Sequence, residues 1–78
     1  MIPDYTLEAL KRYVENRIPT GGFLRAVLEN NFNTAVCTAD AENFKALREI
    51  AIHIYNEIPR ICWGSPQKVH DWLNPQEK

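Results

Sequence analysis

Serine occurs once in these 78 residues, glycine three times and cysteine twice, and no apolar run is long enough to cross a bilayer. With so little glycine and serine there is no flexible linker, no low-complexity tract and no internal repeat, so the chain reads as one domain, residues 1–78. The opening MIPDYTLEAL lacks the basic flank and apolar centre of a secretion signal. We therefore expect a mature chain that starts at or near Met1 and a cytoplasmic setting. Cys37 and Cys62 lie far apart, outside any CxxC pair and beside apolar neighbours, which points to two packed thiols of an intracellular protein.

A dominant charge is also missing. Nine basic residues against ten acidic ones leave a net charge of -1, which argues against affinity for nucleic acid through counterion release, and the acidic excess is too small for a DNA mimic. Arg25, Arg48 and Arg60 would have to gather in space to make a basic patch. At this length roughly 60% of the unfolded surface is buried on folding, so stability is modest and self-association, for instance as a homodimer, would help.

What the chain does have is apolar residues at helical spacing. Leu7, Leu10, Val14 and Ile18 form one stripe, with Asp4 or Thr6 as its cap, the Glu8–Arg12 pair outside and Pro19 as its end. Thr20 is positioned to cap a second helix with the stripe Phe23, Leu24, Val27 and Leu28, stopped by Asn31. Asn33 to Thr38 reads as one or two turns capped by Asn33. Asp40 opens the longest helix, whose wide face of Phe44, Leu47, Ile50, Ala51, Ile54 and Ile58 runs to Pro59 and makes it central. Ile52 and Tyr55 fall to one side of that face. The link IPRICWGSP is too apolar for an open loop and must fold back over the core, with Trp63 either plugging an end of the bundle or standing outside as an interface anchor. Ser65 as cap and Pro66 at the first position start a last helix carrying Val69, Trp72 and Leu73, stopped before Pro75 and followed by a polar tail from Gln76. The expected fold is all-α, a small single-domain bundle of four main helices plus a short helical turn.

Residues with chemical potential have simpler explanations. Gly21 and Gly22 present backbone amides at a helix start, with Arg25 one turn on, an arrangement that suits a nucleotide or other anion. The full glycine fingerprint and its preceding strand are absent, so a tight turn is the better account. Ser65, His70 and Asp71 are the residue types of a hydrolase triad, but they lie within two turns of one helix and Ser65 is explained as a cap. Cys37, His53, Cys62 and His70 lack the close ligand pairs of a structural zinc site, and His53 reads as a partly buried side chain at a helix edge. We expect no catalytic residue, no metal and no cofactor.

The order IP, RYVENRIPTGGFLRAVLENN, TADAEN, IYNEIP and WGSPQKVHDWL resembles a group of small proteins carried by bacteriophages, prophages and plasmids. The resemblance implies a mobile-element product acting inside a bacterial host and brings no activity, cofactor or catalytic residue with it. The resulting expectation is binding of a host protein, with inhibition of a bacterial defence system as its sharpest form. Ile52, Tyr55 and Trp63 are its apolar anchors, and Arg48 and Arg60 the polar contacts beside them. The alternatives are a small-ligand binder using Gly21, Gly22 and Arg25, and a DNA-binding regulator.

Overall fold

A computed structural model describes residues 1–75; the polar tail expected from Gln76 lies outside the described residues. Six α-helices and one 3₁₀ turn follow in order: α1 Asp4–Asn16, α2 Gly22–Leu28, α3 Phe32–Thr38, α4 Ala41–Lys45, α5 Leu47–Glu57, the turn Arg60–Cys62, and α6 Pro66–Leu73. The fold is all-α, with no strand among the described residues. No helix there is long and apolar enough to cross a membrane.

The count exceeds four main helices and a turn for two reasons. Asn30 adopts a left-handed conformation with φ of 65°, and Asn31, not Asn33, caps α3 by accepting the Thr34 amide at 3.3 Å. That makes the region after α2 a full helix beginning at Phe32. The long helix expected from Asp40 to Ile58 is broken at Ala46, whose φ of -97° and ψ of 9° lie outside the helical region and separate α4 from α5.

Helix starts depend on local chemistry, and two of the five expected caps, Asp40 and Ser65, are found in place. Asp40 accepts the Asn43 amide at 2.8 Å, and Ser65 accepts the Lys68 amide at 3.2 Å with Pro66 in the first turn. Helix α1 differs. Its cap is Pro3, whose carbonyl accepts the amides of Thr6 and Leu7, while the Thr6 hydroxyl is buried and donates to the Asn43 side-chain oxygen at 2.6 Å. Helix α2 likewise begins from extended Gly21 and not from a Thr20 cap.

Helix α1 ends before Pro19 is reached, at left-handed Arg17 (φ 56°), which turns Ile18 off the apolar stripe and into solvent. A non-glycine residue in that conformation costs about 1–2 kcal/mol. Arg17 offsets the cost through its side chain: the guanidinium lies 3.6 Å from the centre of the Trp72 ring and donates to the Trp72 carbonyl at 2.9 Å.

Leu10 and Tyr13 of α1, Leu24 and Leu28 of α2, Ile50 and Ile54 of α5, Cys62 and Val69 build the core. Burial raises the pKa of the Cys62 thiol. Cys37, expected to be packed, is exposed on short α3. Tyr13 is the largest fully buried side chain, and its hydroxyl donates to the Cys62 carbonyl at 2.6 Å. The Trp72 indole N–H donates to the Tyr13 carbonyl at 2.8 Å, so this one residue ties α1 to the 3₁₀ turn and to α6. The link after Pro59 does fold back: Trp63 is half-buried with its indole N–H on the Ile58 carbonyl at 3.2 Å, and the Gly64 amide donates to the Leu28 carbonyl at 2.7 Å. Gly64 holds a φ of 123°, where a side chain would be strained.

Burial is the first cause of a raised Tyr13 pKa, with the neighbouring Cys62 adding to it. The folded value lies above the ordinary 10.0, so the neutral phenol stabilises the fold fully below that pH and the contribution is lost as pH rises through the folded value. Tyr13→Phe, which strands the buried Cys62 carbonyl, should cost about 1–3 kcal/mol in urea denaturation at neutral pH. In an alkaline titration followed by circular dichroism the wild type should lose stability steadily above pH 10.0, while the variant starts lower and declines less. Equal stability of the two proteins at neutral pH would contradict this assignment.

Candidate protein-binding face

The outward side of α4 and α5 follows from how α4 is held. Thr6 binds Asn43 from α1, and the Tyr5 hydroxyl donates to the Asp40 carboxylate at 2.8 Å. The Asn43 amide, and then the Tyr5 hydroxyl, hold the Asp40 carboxyl below its ordinary pKa, while the same bond to Asp40 raises that of Tyr5. With Asn43 turned inward, the next residue on the helix turns away by about 100°. Phe44 is therefore exposed and not part of the core as the spacing predicts.

The break at Ala46 then divides the wide apolar face. Ile50, Ile54 and Ile58, one turn apart, are buried, whereas Leu47 and Ala51 face an open groove. Its aromatic walls are Phe32 from α3 and Phe44 from α4, and its floor is Val27, Ala35, Leu47 and Ala51, enclosing about 510 Å³. Lys45 and Arg48 stand on the rim with Asn30 and Asn31, and no carboxylate lines it. Neither Lys45 nor Arg48 forms an ion pair among the described residues.

Arg48, Ile52 and Tyr55 sit at i, i+4 and i+7 on α5 and so share one side of it. At its far end Tyr55 and Trp63 meet edge to face, with centroids 6.3 Å apart and planes at 69°. The Arg60 guanidinium lies 5.0 Å from the Tyr55 ring centre and 5.6 Å from that of Trp63. Of the five residues singled out from the sequence, Tyr55, Arg60 and Trp63 form one cluster, Ile52 lies beside it on the helix, and Arg48 belongs to the groove. The pattern does not reveal Phe32 and Phe44 as surface residues: Phe44 falls on the inward face by spacing, and Phe32 precedes the expected Asn33 cap and so belongs to no expected helix. Phe32 is 71% exposed, Tyr55 61%, Phe44 55% and Ile52 43%, while the exposed Ile61 borders a separate depression with Arg17 and Trp72. Surplus apolar surface of this kind is the usual mark of a contact area.

The other candidates are placed differently. Gly21 and Gly22 border a shallow depression that includes Asp40, a carboxylate, while Arg25 is outside it and pairs with Glu29 at 2.7 Å. The amides and the cation of the anion-binding alternative are thus not brought together. Ser65 is engaged as a cap, and Asp71 accepts from the Gln67 side chain at 2.9 Å. Cys37 is on the surface and Cys62 in the core, and among the described residues no group of three or more His, Cys, Asp or Glu side chains is arranged to hold a metal ion. His53 is half-buried at the edge of α5, as its position predicts.

Compared with known proteins, the chain matches no family model, no curated protein and no solved structure.

Because Phe32 and Phe44 are largely solvated, Phe32→Ala and Phe44→Ala should each change unfolding free energy by no more than about 0.5 kcal/mol. Ile54→Ala, which empties a core site, should cost about 2–5 kcal/mol. Urea denaturation of the three variants checks this, and a core-sized loss at either phenylalanine would show that the groove is part of the interior.

Proposed function

We propose that this chain is a protein-binding module and that its working surface is the outward side of α5, from the Phe32–Phe44 groove to the Tyr55–Arg60–Trp63 cluster. One observation carries the reading. The core closes without these side chains, and among the described residues every buried side-chain polar atom has a partner, yet Phe32, Phe44, Ile52 and Tyr55 remain in water along this one side. Aromatic and arginine side chains gathered on one face are the usual anchors of protein interfaces. Resemblance to proteins of phages and plasmids makes the partner a protein of the bacterial host, and blocking a component of a host defence system is the sharpest form of the proposal. It rests on analogy for the partner and on geometry for the surface.

A photo-crosslinking side chain placed at Phe32 or Tyr55 in bacterial cells should join the same host protein from both positions. The same group at Glu8, an exposed position of α1, should not. No crosslink from the two face positions, or one shared set of products from all three, would refute the assignment of this surface.

A further inference from the structure

Resting on that reading, we infer that the groove's occupant is an amphipathic helix of the partner, with an apolar stripe and acidic flanks. Three features choose it. The rim carries Lys45 and Arg48 with no carboxylate in the lining, and Arg60 extends the same sign along the face, so the field favours a negatively charged segment. A second copy of this chain meeting the groove face to face would set these cations against their own equivalents. The floor is aliphatic and the walls are phenylalanine, a lining that accepts leucine-like side chains. From Arg48 to Tyr55 the face spans about 10 Å at the rise of an α-helix, matching the reach of anchors at i, i+3 or i+4, and i+7. An extended peptide has nothing to pair with, because no strand edge exists among the described residues. Nucleic acid is disfavoured by a net charge of -1 and by a rim of only two cations.

The test is selection from a displayed library of random 16-residue peptides against the intact protein, followed by affinity measurement on synthetic copies of the winners. Enriched sequences should be acidic, show apolar residues at helical spacing and become helical on binding. Affinity should fall about tenfold for the Lys45→Glu, Arg48→Glu double variant and should weaken with added salt for the wild type. Phe32→Ala with Phe44→Ala should abolish binding, and circular dichroism melts of each variant exclude unfolding as the cause. Basic, proline-rich or unpatterned winners, no winners, or binding unchanged in the double-charge variant would overturn the inference. So would a concentration-dependent dimer in sedimentation that the phenylalanine variants abolish, or oligothymidylate bound in the groove. Crosslinking to a host protein through Phe32 and Tyr55 alongside such a result leaves the binding module standing and removes only the acidic helix.

Discussion

A phenol buried at the centre of a domain this small organises much of what surrounds it. The Tyr13 hydroxyl satisfies the Cys62 carbonyl and its own carbonyl receives the Trp72 indole N–H, so one residue of α1 fixes two segments that follow it by 49 and 59 positions. The first bond is buried and the second part-buried, and a buried polar group without its partner is costly. The apolar link from Pro59 to Gly64 is thereby held against the core, with Gly64 bound to the end of α2. Arg17, accepting a left-handed backbone to reach Trp72, closes the same corner from outside.

A second polar pin, Thr6 on Asn43, acts at the other end of α1 and decides how α4 faces. With an asparagine side chain turned inward, the phenylalanine after it turns outward, and the unwound Ala46 lets α5 resume with Ile50 and Ile54 in the core. The groove is a consequence of these two pins. Residues that a straight helix would bury together are divided between an interior and a surface, and the surface share is apolar with cations at its rim.

How far this was legible in the sequence depends on how local each determinant is. The starts at Asp40 and Ser65 could be read because a cap and its amide lie three residues apart. The buried isoleucines of α5 and the apolar excess at Tyr55 and Trp63 could be read from spacing and from an oily loop. The break at Ala46 could not, since neither proline nor glycine marks it. The sequence offers Asp4 or Thr6 as the α1 cap, whereas the partner of the Thr6 hydroxyl lies 37 positions away, and without that partner the spacing puts Phe44 in the core. Phe32 was obscured by the choice of Asn33 over Asn31 as the cap, a shift of two residues that moves an aromatic ring from a loop onto a helix. Cys37 followed a rule about buried thiols that a short, mostly exposed helix does not obey.

The proposed function rests on the same division: a closed interior held by long-range hydrogen bonds, and a solvated apolar face. Hydroxyl-radical footprinting of the free protein, read residue by residue by mass spectrometry, tests it directly. The account predicts rapid oxidation at Phe32, Phe44 and Tyr55 together with strong protection at Tyr13. Protection of Phe32 and Phe44 matching that of Tyr13 would contradict it, because the groove would then be interior and no face would be left open.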